Sequence, residues 1–272
     1  MAKPAQIRPL GTSAYIRYAL VAKSGFGKTV AAGTAPNALF LTTDPEGTMS
    51  AKKFGSTAEE WSIGEWNELW DAYTWLRDDG IRTQGYQWLI IDNGTECQNL
   101  AMAMAMRQAL KARPDRSPYV PDKREYQINQ NAMVDFVKTM HSLPVNILWT
   151  FHRKGMEDGD GNDYYSVAIQ GQQGQTAEQI LGYMNIIGMG EVIEREVNGK
   201  RREIRRTYFT HTGPYRGKDR YHALGRYRDG LTIPDLMQAV SSSSKEGART
   251  KTRSKTSTTR TTARRRVATR SS

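Results

Sequence analysis

The chain has 272 residues, a formal net charge of +11 and a hydrophobic content of 38%. No apolar run approaches the ~20 residues of a membrane span, and the opening MAKPAQIRPLGTSAY lacks the apolar core of a secretory signal. The single cysteine, Cys97, rules out an internal disulfide, and the expected compartment is a reducing cytoplasm.

In chain order, residues 1–13 carry Pro4 and Pro9 and read as a flexible lead. AYIRYALVA (14–22) is β-rich and is the first predicted strand. It runs into LVAKSGFGKTV (20–30), which follows the phosphate-loop pattern G-x-x-x-x-G-K-[ST] with Ala22 at the opening position. In such a loop backbone N–H groups wrap the phosphates, the Lys reaches the β- and γ-phosphates, and the hydroxyl binds Mg2+. Ser24, Gly25, Phe26, Gly27, Lys28, Thr29 and Val30 are the candidate ATP contacts, with Thr29 on the metal. Ala22 fits at the strand-to-loop turn if its φ stays negative. GKTVAAGTA (27–35) then reads as a helix after a Gly-rich turn, and ALFLTTD (38–44) as a second strand.

EWNELWDAYTWLRDD (65–79) places Trp66, Leu69, Trp70, Tyr73 and Leu76 at three- and four-residue spacing, an amphipathic helix. YQWLIIDN (86–93) is a short apolar strand ending in Asp92, about 60 residues past the loop, where a carboxylate can hold Mg2+. Hydrolysis also needs a group to orient the attacking water. Glu46 in TTDPEGT and Glu65 in SIGEWNEL are equal candidates, although Glu65 also suits a capping box with Ser62. NQNAMVDFVKTMHSL (129–143) reads as a helix and NILWTFH (146–152) as a strand. The strand-end His152 would face the γ-phosphate at the carboxyl edge of the sheet, where open α/β folds bind ligands. MNIIGMGEVIERE (184–196) and RREIRRTYFTHT (201–212) read as strands around a hairpin turn at VNGK (197–200).

This alternation predicts an α/β domain over 14–240, with a mainly parallel central sheet flanked by helices and antiparallel strands added in the C-terminal half. Residues 241–272 hold three Lys, seven Arg and one Glu, a net +9 of the chain's +11, with no aromatic residue and one Val. Such a segment cannot bury enough apolar surface to offset its ordering entropy, so it is expected to be a disordered basic tail that contacts phosphate backbones.

AKSGFGKT, SIGEWNEL, WLIIDN, NILWTFH and GKDR, in this order, resemble the RecA-type ATPase core over roughly residues 14–240. The nearest resemblance is to phage RecA-like ATPases of the Sak type, which are single-strand annealing proteins. The resemblance implies a RecA-like P-loop fold and an ATPase stimulated by single-stranded DNA. It also implies a homo-oligomer with ATP at subunit interfaces, and a single-strand-binding protein as a further partner. It favours Glu65 as the water-activating acid, with Glu46 in reserve, and makes His152 the reporter of ATP state to a DNA-binding loop. That loop would be the Gly- and Gln-rich segment 153–179, led by Arg153 and Lys154. A second DNA-facing loop would be 107–126, with Arg107, Lys111, Arg113, Lys123 and Arg124 tracking the backbone and Tyr119 and Tyr126 available to stack on bases. Lys218 and Arg220 in YRGKDR match the cations that reach a neighbouring subunit's γ-phosphate. The stretch MAKPAQIRPL departs from the family in offering no oligomerisation helix. Two other readings stand beside this one: a replicative helicase or helicase loader, and a DNA-coating protein whose nucleotide site is vestigial.

Overall fold

The computed structural model describes residues 15–171, 174–197 and 199–243. The expected lead (1–13) and residues 244–272 of the expected tail lie outside the described residues. The first three residues assigned to the tail, 241–243, continue the last helix.

The first half of the domain comprises β1 (Arg17–Ala22), α1 (Lys28–Ala32), β2 (Ala38–Thr42), α2 (Pro45–Lys53), β3 (Glu59–Ser62) and α3 (Trp66–Trp75). A π-helical turn at Leu76–Gly80 leads into α4 (Ile81–Gln84), followed by β4 (Trp88–Asp92), α5 (Gly94–Ala112) and α6 (Lys123–Met140). Then come β5 (Asn146–Glu157), β6 (Asp163–Val167), α7 (Gln175–Gly182), β7 (Ile186–Val197) and β8 (Lys200–Tyr208). Four short strands follow: β9 (His211–Thr212), β10 (Tyr215–Arg216), β11 (Lys218–Asp219) and β12 (Tyr227–Asp229). Helix α8 (233–243) ends the described chain.

The main sheet runs β12-β8-β7-β1-β5-β4-β2-β3. From β7 to β3 all neighbours are parallel; β8 and β12 add antiparallel strands at the other side. The expected α/β class, parallel centre and antiparallel C-terminal additions all hold. Strands β1, β2 and β4 are buried along their whole length, which is why they read as continuous apolar runs. Alternate side chains feed two cores. On one face Val21, Leu41, Ile91 and Trp149 meet Trp66 and Leu69 of α3 and Phe136 of α6. Trp66 and Trp70 pack edge-on to Phe136 with ring centroids 5.2 and 5.7 Å away, so the predicted amphipathic helix buries the expected stripe. On the other face Leu20, Phe40, Ile90 and Leu148 meet Ala32 of α1 and Leu236 of α8.

Two expected loops are partly regular structure. Of segment 107–126, residues up to Ala112 close α5 and those from Lys123 open α6, leaving a loop over 113–122. Helix α6 therefore starts six residues before the predicted 129. The Glu125 carboxylate accepts from the Asp122 N–H (2.7 Å) and pairs with Arg116 (2.9 Å), with the Arg116 and Glu125 side chains 11% and 2% exposed. Of segment 153–179, β5 continues to Glu157 and turns back as β6, paired from Arg153↔Val167 to Glu157↔Asp163. Asp158 makes the turn by accepting from the N–H groups of Asp160 (3.1 Å) and Asn162 (2.9 Å), and Gly161 supplies the left-handed φ of +80°.

Gly94 opens α5 directly beneath the Phe151 ring, where a Cβ would lie 2.3 Å from a ring carbon. Gly94→Ala is expected to destabilise the fold by about 1–3 kcal/mol through overpacking, measured by urea unfolding; a midpoint equal to wild type would contradict this packing.

Candidate nucleotide site

The phosphate loop leaves β1 at Ala22, which pairs with His152 on β5. Ala22 is fully buried, and its φ is not positive, since Asn37 and His222 are the non-glycine residues with positive φ among those described. A Cβ is therefore tolerated at the opening position. The left-handed turns fall instead on Gly25 (φ +80°) and Gly27 (φ +91°). Phe26, between them, turns its ring inward to 4% exposure. That ring occupies space left open by Gly190 on β7, where a Cβ would lie 2.7 Å from Phe26 and 2.9 Å from the Ala22 Cβ. The loop is thus anchored by an apolar side chain while its backbone and Ser24 stay at the surface.

Lys28 folds back across the loop. Its Nζ donates to the carbonyls of Ala22 and Lys23, each at 3.2 Å. Burial pulls its pKa below the usual lysine value, with Asp92 acting in the opposite direction. An anion placed on the loop would supply the charge that carbonyl dipoles provide only in part. Thr29 Oγ1 donates to Asp92 Oδ2 at 2.7 Å, and Thr150 Oγ1 donates to Asp92 Oδ1 at 2.5 Å. Asp92 is 9% exposed. A hydroxyl and a carboxylate oxygen in contact form a hard-oxygen pair, suited to Mg2+ that also rests on phosphates. Thr29 and Asp92 would hold that ion, which when bound neutralises charge on the β- and γ-phosphates.

His152 stands beside these groups and is half-buried. Its backbone N–H donates to Thr95 Oγ1 at 3.1 Å. Burial, and then the Lys28 charge, hold its imidazole below the usual histidine pKa, while Glu96 and Asp92 oppose them. Glu96, on the first turn of α5, is a site residue that sequence reasoning missed, although it lies four residues past Asp92 in IIDNGTE.

The two predicted acids occupy different places. Glu46 lies in the first turn of α2, after β2, the strand next to β4; there the Thr43 N–H donates to the Asp92 carbonyl (3.0 Å). Glu65 follows β3, one strand further out, roughly 10 Å laterally from β4 at the usual strand spacing. It precedes α3, Glu68 accepts from its N–H at 3.0 Å, and its carboxylate reaches Arg107 at 3.5 Å. Glu65 thus serves a helix start and a surface ion pair, with Glu68 rather than Ser62 completing the capping.

The predicted cations also divide. Lys111, Lys123, Arg124 and Lys154 are exposed; Arg107 and Arg113 are exposed in ion pairs with Glu65 and Asp122. Arg153 is not a surface cation: its side chain is 2% exposed and pairs with Glu191 at 2.5 Å. Its guanidinium lies over the Tyr165 ring, 3.9 Å from the centroid, and Tyr165 tilts against Tyr215, which stacks on Tyr208. Lys218 donates to the carbonyls of Leu181 (3.3 Å) and Gly182 (3.2 Å), and Arg220 donates to that of Gly182 (3.3 Å). Both cations cap the C-terminus of α7 in their own chain.

Beside the loop a cavity of about 230 Å³ is lined by Tyr18, Phe26, Val30, Arg205, Leu231 and Ile233, among others. Its walls are mainly apolar and adjoin α1. Residues 14–221 match the sequence profile of the AAA domain family. The chain belongs to the AAA domain family, whose members are P-loop ATPases. No curated protein matches it. Members of the AAA domain family use ATP and typically Mg2+, and the Thr29–Asp92 oxygen pair is chemically suited to such an ion. Among the described residues no helix is long and apolar enough to cross a membrane.

The Lys28 charge is one of the two causes that depress the His152 pKa. Lys28→Ala should therefore raise it toward the ordinary value near 6.5, followed by NMR titration of the imidazole. An unchanged titration would contradict the proximity of the two side chains.

Proposed function

We propose that this chain is a RecA-like recombination ATPase of the Sak annealing type, in which ATP times a grip on single-stranded DNA. The observation that carries this reading is the path of β5. One continuous strand bears His152 at the nucleotide edge and then extends as the β5–β6 hairpin bearing exposed Lys154. A change at the phosphate edge would move the hairpin as a rigid lever. The DNA surface would comprise Lys154, Arg107, Lys111, Arg113, Lys123 and Arg124. Tyr119, 89% exposed on the 113–122 loop, would stack on bases. Arg153 is left out of this surface because it is buried against Glu191.

In the catalytic step Lys28 binds phosphate and His152 reports its presence. Glu46 orients the water, a role supported by the adjacency of β2 and β4 and by the engagement of Glu65 with Arg107. The cavity beside α1 would take the nucleoside. Lys218 and Arg220 would exchange the α7 carbonyls for a neighbouring subunit's ATP in a homo-oligomer. The basic tail would add sequence-independent affinity for DNA, and a single-strand-binding protein and a cytoplasmic setting complete the proposal.

ATP turnover should rise with single-stranded DNA in the full chain and in a chain ending at Ser243, and should vanish in Lys28→Ala. Turnover indifferent to DNA at low salt would refute the recombinase reading. Glu46→Gln should lower kcat by about a hundredfold while Glu65→Gln stays near wild type; the reverse order would return the role to Glu65.

A further inference from the structure

Arg205 reaches the phosphate loop from a distant part of the chain. It lies on β8, opposite Val192 of β7, and its carbonyl accepts from the Gly230 N–H at 2.8 Å. Its backbone is therefore held from both sides, while the side chain extends to the loop. Arg205 Nε donates to the Phe26 carbonyl at 2.7 Å. A Cβ on Gly27 would lie 3.2 Å from the same Nε. Gly27 thus serves twice, adopting φ +91° and leaving room for the guanidinium.

We propose that Arg205 is a positioning residue of the phosphate loop, holding the Phe26–Gly27 peptide in the orientation that presents the Gly27 N–H to phosphate. The reasoning is geometric. In a planar trans peptide the C=O and the following N–H point to opposite sides. Among the described residues the cis bond is Asp92–Asn93, so the Phe26–Gly27 peptide is trans. A Phe26 carbonyl drawn toward Arg205 sends the Gly27 N–H to the other side. Without Arg205 this peptide, flanked by a left-handed glycine, can rotate and turn its carbonyl oxygen toward an anion. This inference rests on reading residues 22–29 as a phosphate loop. It adds a loop-setting residue 178 positions away from Gly27 in a part of the chain with no phosphate motif.

The test measures binding of MgATP, Mg-tripolyphosphate and adenosine to wild type, Arg205→Ala, Arg205→Lys and Lys28→Ala, with circular dichroism as the folding control. Arg205→Ala should weaken ATP and tripolyphosphate alike, by about tenfold or more, as befits a lost charge-assisted hydrogen bond. Because Arg205 also lines the cavity proposed for the nucleoside, tripolyphosphate, which carries no nucleoside, is the deciding ligand, and Arg205→Lys, which keeps a cationic donor, should fall between Ala and wild type. Phosphate affinities equal to wild type in folded Arg205→Ala would overturn the proposal. So would a loss confined to ATP and adenosine, which would make Arg205 a nucleoside contact instead. A wild type that binds tripolyphosphate no better than Lys28→Ala would overturn the phosphate-loop reading itself, and the proposal with it.

Discussion

The Asp92 carboxylate ties the site to the fold. It ends a wholly buried strand and accepts hydroxyls from Thr29 at the loop and Thr150 on β5. A nearly buried carboxylate is stable only when its oxygens are met by donors. Here the donors come from the elements on either side of the nucleotide edge. The loop, β4 and β5 are thereby held in register around one charge. Lys28 and His152 then fall within range of the same carboxylate. The fold itself brings together the hydroxyl and carboxylate that would hold a Mg2+ ion.

The loop is held from its other side by different means. Phe26 packs its ring into the space left by Gly190, and Arg205 takes the Phe26 carbonyl. The apolar anchor explains why a bulky residue stands between two left-handed glycines. It also accounts for Ala22, whose small methyl group lies in the same packed layer. The departure at the opening of the motif therefore belongs to local packing and leaves the phosphate-binding backbone intact.

Much of this was legible because it is written in local patterns. The buried strands read as apolar runs, and the loop motif and Asp92 fell where a strand–loop–helix context required them. Helix α5 carries no amphipathic signature over LAMAMAM, which is apolar throughout, although Ala and Met are good helix formers. Helix α2 has few apolar residues, and its sign was the cap, Asp44 before Pro45, which suits a first helical position. The loop expected at 153–179 was read from glycine and glutamine content. The tyrosines of DYYSV and the Asx turn at Asp158 made it a hairpin. The burial of Arg153 and the capping of α7 by Lys218 and Arg220 depend on contacts between distant segments. So does the contact of Arg205 with Phe26, and no window of sequence displays any of them. The proposal of Glu46 over Glu65 rests on strand order, which places β2 rather than β3 beside β4 and is not readable from either local sequence.

The most direct test of the account is single-turnover ATP hydrolysis by wild type and Asp92→Asn over a range of Mg2+ concentrations, with metal-free ATP binding measured in parallel. The account predicts Mg2+-dependent hydrolysis in wild type and a loss of about a hundredfold or more in Asp92→Asn, while both proteins bind ATP comparably without metal. Equal hydrolysis by the two proteins would contradict the assignment of Asp92 as the anchor of the site.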